Sequence, residues 1–185
     1  MFTQKRSLLS ALLIPAALVS LLLVGACKGK EELAEAEAFA FVVYPGSQYL
    51  GQLTEATKNA HRALAPGQEP PPIAIYDTDA TVEQVAEFYV KEYGYKEVAP
   101  DVTNNLSAAK PPAYYRTGDL ATDTKAIEEL LKKMNMTTDV SKAAGAYRAA
   151  EISPRPNRPR VTAQRPYFDV TTSTVVDRTL VLMAR

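Results

Sequence analysis

Cysteine, histidine and tryptophan are almost missing from this chain. Its 185 residues include one Cys, one His and no Trp. One thiol allows no internal disulfide, and one His excludes any two-histidine metal motif. The lack of Trp removes much of the usual equipment for stacking sugars, although ten Tyr partly compensate. Serine–histidine and cysteine–histidine catalysis are therefore poorly supported, and packing alone must hold the folded part together.

The one long apolar run lies near the N-terminus. Lys5 and Arg6 precede it, and residues 8–24 are apolar except for two serines and Pro15. A short cationic start followed by such a run is typical of a secretory signal peptide. A membrane-spanning helix needs about 20 apolar residues, so this run is marginal as a span, and Pro15 interrupts it. We predict that residues 1–26 form a signal-peptide helix that is removed.

The run ends in Val24-Gly25-Ala26-Cys27, which resembles the lipobox of bacterial lipoproteins. In that family the small residues admit a dedicated peptidase, and the Cys thiol receives a diacylglycerol. The resemblance covers only the first 27 residues and implies that Cys27 is the lipidation site. A further acyl chain on the new N-terminus would make the anchoring stable. The alternatives are an ordinary cleaved signal with an incidental Cys, and an uncleaved anchor helix.

The resemblance also implies a location. The protein would be lipid-anchored in the cell membrane or outer membrane, with its domain facing the periplasm or the exterior. In lipoproteins of two-membrane bacteria, an Asp after the lipidated Cys resembles an inner-membrane retention signal. This chain has Lys28 there, which favours the outer membrane if the cell has one.

Charge is distributed unevenly along the rest of the chain. Residues 28–140 carry 11 basic and 18 acidic side chains, whereas residues 141–185 carry 8 basic and 3 acidic ones. The C-terminal quarter is therefore a basic segment on an acidic body. Residues 27–38 are charged and Ala-rich without an apolar face, and we interpret them as a lipidated tether. Residues 39–185 are long enough for one domain with a real core.

The hydrophobic pattern predicts helices and strands in the first half of this domain. Strands are expected at 39–44 and 73–76, and a modest helix at 53–64. The clearest element is a helix at 82–93, whose apolar residues recur at helical spacing. Thr81 and Gln84 form a capping-box pattern before it, and Gly94 stands where a left-handed residue would end it.

The second half is expected to be rich in strands. We predict a short return strand at 95–98, a loop at 100–112 and a weak strand at 113–116. A helix follows around Ile127 to Met134, with Thr122 or Asp123 as its N-cap. Residues 153–159 are interpreted as a linker. Residues 160–170 and 175–184 are expected to form a hairpin whose last strand, apolar on both faces, is interior.

These elements predict an α+β fold in two layers. Helices pack on one face of a mainly antiparallel sheet, and the signal-peptide helix precedes the domain. The side chains expected to be buried are Val85, Tyr89, Ile127 and Leu131.

Several acidic residues and the histidine could serve chemistry, but each has a plainer interpretation. Asp77-Thr78-Asp79 has the D-x-D shape with which some glycosyltransferases hold a divalent cation. Asp77 ending a strand and Asp79 favouring a helix start explain it as well. His61 is interpreted as an exposed helix residue rather than a general base. The remaining acids match no EF-hand spacing and are interpreted as helix-start and surface charges: Asp119, Asp123, Glu128, Glu129 and Asp139. No catalytic residue, metal site or cofactor is predicted.

The basic segment is the most interesting candidate site. Arg155, Arg158, Arg160 and Arg165 alternate with prolines, and they could bind lipid headgroups, an anionic cell-wall polymer or an acidic partner. We hypothesise that the four arginines project from one side of the molecule. The alternative is a proline-stiffened connector whose arginines pair with the acidic body.

Three classes of function remain open. The favoured one is a non-catalytic binding or accessory module, attached to the membrane through its lipid and contacting an envelope protein or an anionic envelope polymer; no nucleic-acid partner is expected. The second is a tethered carboxylate- or metal-dependent hydrolase of the envelope. The third, a two-lobed solute-binding lipoprotein, needs far more chain. Clustered, buried carboxylates in one cleft would favour the enzyme, and a shallow basic or apolar patch would favour the binder.

Overall fold

The structure is a computed structural model and describes residues 41–101 and 110–185. The predicted signal peptide, Cys27 and the predicted tether lie outside the described residues, as does most of the expected loop at 100–112. The elements are β1 (Gln48–Tyr49), α1 (Gly51–Leu64), β2 (Ile73–Thr78), α2 (Val82–Glu92), β3 (Ala113–Asp119), α3 (Leu120–Lys133), a 3-10 turn (Val140–Lys142), β4 (Ala146–Ile152), β5 (Arg160–Arg165), β6 (Tyr167–Asp169), β7 (Thr174–Val176) and β8 (Thr179–Ala184).

Six of the strands form one sheet in the order β1-β2-β8-β5-β4-β3, while β6 and β7 form a separate two-stranded ribbon. Every pair of neighbouring strands is antiparallel. The predicted α+β domain, with helices packed on a mainly antiparallel sheet, is confirmed. The two middle strands are β8 and β5, and β8 joins the two halves of the sheet because it pairs with both β2 and β5.

Alternate residues of the central strands point to opposite faces of the sheet. On β8, Leu180 and Leu182 belong to one buried cluster, whereas Val181 and Met183 belong to another. All six residues of this strand are buried. The prediction of an interior last strand with two apolar faces is confirmed.

The helices cover both of these faces. Leu53 of α1 and Ile127 and Leu131 of α3 pack on one face, and Val85 and Tyr89 of α2 pack on the other. The expected burial of the last four side chains is confirmed. The expectation that all helices share one face is wrong. Because the central strands are apolar on both sides, each side needs its own cover.

Helix α2 begins and ends as its sequence indicates. The Thr81 N–H donates to Gln84 Oε1 at 2.9 Å, and the Gln84 N–H donates to Thr81 Oγ1 at 3.3 Å. This is the complete capping box. Gly94 follows the helix with φ 66°, a left-handed conformation that glycine adopts at little cost.

Several predicted boundaries are wrong. Residues 41–44 form no strand, and the edge strand is instead β1, seven residues after Phe41. Residues 95–98 form no strand either, since only an isolated bridge joins Ala99 to Tyr114. Asp119, not Thr122 or Asp123, caps α3 by accepting a bond from the Thr122 N–H at 3.0 Å.

The C-terminal hairpin is confirmed, but in two parts. Strands β5 and β8 pair in the main sheet, and β6 and β7 pair outside it. The cis peptide bond between Arg165 and Pro166 separates the parts. Strand β4, between β5 and β3, has no counterpart among the sequence predictions.

Candidate functional site

The segment predicted as a linker is an ordered turn between β4 and β5. The Arg158 N–H donates to the Arg155 carbonyl at 2.9 Å, and Asn157 between them has φ 59°. The Tyr95 hydroxyl donates to the Ser153 carbonyl at 3.0 Å and so attaches the turn to the segment after α2. We call residues 153–159 the basic turn. The basic turn and Arg160 together form the basic end of the sheet.

The arginines of the basic turn lie beside tyrosines. The Arg155 guanidinium stacks over the Tyr95 ring, 4.3 Å from its centroid. Burial raises the pKa of the Tyr93 hydroxyl, and the positive charge of Arg158 opposes that rise. The rings of Tyr93 and Tyr95 are 6.3 Å apart. A cation stacked on an aromatic face keeps its charge available to solvent while its position is fixed.

Ion pairing separates two sets of arginines. Within the described part of the chain, Arg155, Arg158 and Arg160 form no ion pair with a carboxylate, whereas four other arginines each have at least one. Arg62, on α1, also has no ion pair there and donates to Asn59 Oδ1 at 2.7 Å. The paired arginines are Arg116, Arg148, Arg165 and Arg178. Arg155 is exposed, and Arg158 and Arg160 are partly exposed. The basic end therefore carries positive charge that no ion pair within the described domain neutralises.

Arg165 does not belong to this group. Five residue steps along β5 separate it from Arg160, which is about 17 Å in an extended strand. Its Nε donates to Asp177 Oδ1 at 2.7 Å, and its Nη1 donates to the Asp79 carbonyl at 3.1 Å. The hypothesis that all four arginines project from one side is wrong for Arg165. This arginine is a structural partner at the far end of the sheet, where β5 ends and β4 begins.

The two carboxylates of the D-x-D segment are both held by one arginine. The Arg178 Nε donates to Asp77 Oδ2 at 2.9 Å, and its Nη1 bonds Asp79 Oδ1. Tyr167 also donates to Asp77 Oδ2, at 3.2 Å. The guanidinium of Arg178 thus supplies the positive charge that a cation would bring. Within the described residues, no group of three or more His, Cys, Asp and Glu side chains is arranged to hold a metal ion.

The other acidic candidates have local roles. Asp139 caps the 3-10 turn by accepting a bond from the Ser141 N–H at 3.1 Å, and Glu128 pairs with Lys132 at 2.7 Å. His61 differs from its prediction, since it is buried in α1 and only 3% exposed. It faces the sheet because its position follows Thr54 and Thr57 on the buried side of the helix.

A buried polar chain crosses the sheet face that α1 and α3 cover, and sequence reasoning missed it. Arg116 Nε donates to Glu151 Oε1 at 3.1 Å, and Thr162 donates to the other oxygen of Glu151 at 2.9 Å. Arg116 Nη1 also bonds the Tyr147 hydroxyl, which donates to Asp123 Oδ2 at 2.6 Å. Glu151 and Thr162 are register partners on β4 and β5, and Arg116, opposite Ala149 on β3, lies diagonally from Glu151 on the same face. This pairing of strands was the signal, and it depends on the register between them.

The pKa values of the side chains in this buried polar chain are shifted by burial and by their partners. Burial alone would lower the pKa of the Arg116 guanidinium, but Glu151 and Tyr147 outweigh it and the pKa is raised. Burial raises the pKa of the Asp123 carboxyl, against the hydrogen bond from Tyr147. Burial also raises the pKa of Tyr147 to about 12. Within this buried polar chain, the charges of Arg116 and Glu151 offset each other. We therefore interpret it as a structural network.

A cavity of about 50 Å³ lies between this sheet face and the helices α1 and α3. Its lining is mostly apolar, with five members that carry polar groups: Thr57, Asp123, Thr124, Gln164 and Tyr167. A polymer or sugar substrate needs a larger pocket, of several hundred Å³.

Within the described residues, no helix has the length and hydropathy to cross a membrane. Neither a protein-family model, nor a curated protein, nor a solved structure matches the chain.

Proposed function

We propose that this protein is a lipid-anchored envelope module without catalytic activity, which binds an anionic component of the envelope through its basic end. One observation carries the proposal. Arg155, Arg158 and Arg160 have no carboxylate partner in the described domain, although the same domain pairs four other arginines. Unpaired, accessible guanidinium groups are suited to phosphate and carboxylate ligands, which they bind in bidentate fashion.

The arrangement of the acidic groups favours a binder over the alternative hydrolase. A carboxylate-based hydrolase needs two carboxyl groups facing one open cleft. Here Glu151 is held by Arg116, and Asp77 is held by Arg178. Asp123 has a raised pKa, but it borders a cavity of about 50 Å³ that has no room for a substrate.

The anchor is the second part of the proposal. Cys27 at the end of the lipobox would carry the acyl chains, and the domain would face the periplasm or the exterior from the cell membrane or outer membrane. A Cys27→Ser protein should lose acyl labelling and, if its signal is cleaved, separate from the membrane fraction. Mass spectrometry of the N-terminal peptide checks this. An unmodified peptide, or one that begins before Cys27, would refute the anchor.

Crosslinking in intact cells tests the binding part. The chain offers two matched variants, each of which removes two charges and one cation–π contact. The basic-end variant is Arg155→Gln with Arg158→Gln, and the paired variant is Arg148→Gln with Arg165→Gln. Pull-down of the wild-type protein should recover an anionic envelope component, the basic-end variant should lose it, and the paired variant should keep it. Equal recovery by both variants would refute binding through the basic end.

A further inference from the structure

We infer that the partner of the basic end is the phosphate headgroup layer of the same membrane that carries the lipid anchor. In this orientation the basic end contacts the membrane surface and the far end points away from it. This inference rests on the proposed function, since it names the ligand of the basic end. Its support comes from where the chain joins the domain, how far the tether reaches and which side chains surround the arginines.

The described chain joins the domain at the basic end. The Val42 carbonyl accepts a hydrogen bond of 2.9 Å from the Tyr89 hydroxyl, which lies 3.7 Å from Met183 Sδ. Met183 pairs with Val161, and the next pair along these strands is Ala184 with Arg160. Val42 therefore lies near the Met183 side chain, and Met183 pairs with Val161, the residue next to Arg160. The tether side of the domain and the basic end face the same way.

The tether limits how far the domain can move from the membrane. From position 27 to position 41 there are 14 residue steps, which reach at most about 50 Å when fully extended. A domain held at this distance meets lipid headgroups at a high effective concentration, so even weak contacts become populated.

The composition of the basic end suits a headgroup layer better than a protein interface. Protein interfaces are centred on buried apolar anchors. The large exposed apolar side chains of the described domain are Val43, Tyr49, Leu64 and Val175, and none is in the basic turn. The turn instead presents arginines, and Arg155 stacks on the partly exposed ring of Tyr95. The pairing of a cation with an amphipathic ring suits the membrane interface. Arginine forks bind lipid phosphates directly.

The far end has the opposite character. Arg148 and Arg165, which are register partners on β4 and β5, are each paired with a carboxylate, Glu83 and Asp177 respectively. An acyl anchor fixes how far the domain can move from the membrane but leaves its orientation free. An unpaired basic end beside the tether, together with a neutralised far end, gives the domain one preferred orientation.

Fluorescence quenching on vesicles tests this orientation. The mature lipidated protein is reconstituted in phosphatidylcholine vesicles with or without phosphatidylglycerol, and a small fraction of the lipid carries a headgroup quencher. Because acylation occupies the Cys27 thiol, one introduced cysteine can take the fluorophore. Pro154→Cys places it on the exposed basic turn, and Ala146→Cys places it on the exposed start of β4 at the far end.

Adding phosphatidylglycerol should increase the quenching at position 154, and this increase should be several-fold larger than the increase at position 146. Each arginine near an anionic surface strengthens binding about five-fold, so the basic-end variant should lower the docked-to-undocked ratio by about 25-fold. The paired variant should leave it nearly unchanged. Raised ionic strength should reduce the quenching at position 154, because salt screens headgroup attraction.

Three results would overturn the inference: equal quenching at the two positions, quenching indifferent to phosphatidylglycerol, or equal loss in both variants. Soluble polyphosphate separates this failure from failure of the proposed function. If position 154 ignores the vesicles but the wild-type protein binds polyphosphate through Arg155 and Arg158, the anionic-binding function stands and the partner is not the membrane. If neither probe binds, both proposals fail.

Discussion

The two ends of the sheet place an arginine on a tyrosine in nearly the same way. Arg155 lies 4.3 Å from the Tyr95 centroid at the basic end, and Arg148 lies 4.4 Å from the Tyr115 centroid towards the far end. Arg148 also pairs with Glu83, whereas Arg155 has no ion pair in the described domain. The comparison teaches that ring stacking fixes a guanidinium in place, and that the presence of a carboxylate decides whether its charge is used inside the domain.

The strongest test of this comparison is to remove the arginine whose ion pair is the most buried, Arg116. Arg116→Met leaves Glu151 as a buried carboxylate without its cation, which should lower the free energy of unfolding by about 3–5 kcal/mol. Arg155→Met should lower it by no more than about 1 kcal/mol. Urea denaturation midpoints measure both.

A second variant keeps the Arg116 test valid if Arg116→Met fails to fold. Adding Glu151→Leu replaces the ion pair by apolar side chains and should restore most of the lost stability, because the uncompensated charge is then gone. Equal midpoints for Arg116→Met and Arg155→Met would show that pairing does not distinguish the two arginines.

The next largest effect is expected at Gly118, where the Tyr147 ring of the buried polar chain packs against the backbone. A Cβ at this position would overlap the Tyr147 hydroxyl and ring. Gly118→Ala should therefore displace Tyr147 and destabilise the domain by about 1–3 kcal/mol. Gly51→Ala, at the start of α1 in ordinary contact with the Tyr49 ring, serves as the control and should change stability by no more than about 0.5 kcal/mol. If Gly118→Ala were as mild as its control, Tyr147 would have another packing solution.

Sequence reasoning succeeded where local signals agreed with the fold. The capping pattern of Thr81 and Gln84 and the apolar period of α2 both describe interactions within one segment. The sequence of β8 also predicts an interior strand on its own, because the residues on both of its faces are apolar. These features confirm the α+β class without knowledge of long-range contacts.

Strand β4 was not predicted because its sequence, AYRAAEI, is rich in alanine and carries two charged residues. Alanine has low strand propensity, and Glu151 is poorly suited to burial unless a cation faces it. That cation is Arg116 on β3, 35 positions away. Ala149 and Ala150 are fully buried, one on each face. The strand is thus stabilised by its neighbours rather than by its own residues.

Only part of the candidate site could be predicted, because its ion pairs also join residues that are distant in sequence. The cluster of arginines was visible in the sequence, but their ion pairs were not. Arg165 finds Asp177 only because β5 continues into β6 and β7 before β8 begins. The burial of His61 likewise depends on which side of α1 meets the sheet. The sequence showed where positive charge accumulates, and only the fold shows which charges are neutralised.

A smaller effect should appear at alkaline pH and tests how completely the interior network is enclosed. Burial raises the pKa of Tyr147 to about 12, above its ordinary value of 10.0. The folded domain then holds this proton more tightly than the unfolded chain, so stability should fall as pH rises from about 10 to about 12. Tyr147→Phe should lose stability less steeply over this window in thermal melts. The same slope for both proteins would mean that Tyr147 is open to solvent.

The central claim is that the unpaired arginines form the binding end, and the two matched variants test it most directly. Binding of the lipidated protein to phosphatidylglycerol vesicles is measured at low and at high salt for Arg155→Gln/Arg158→Gln and for Arg148→Gln/Arg165→Gln. The first variant should lose most of the salt-dependent docking while its melting temperature stays near that of the wild type. The second should keep the docking and lose more stability, because it breaks ion pairs to Glu83 and Asp177. Equal loss of docking in both variants would contradict the claim, since total charge rather than pairing would then govern binding.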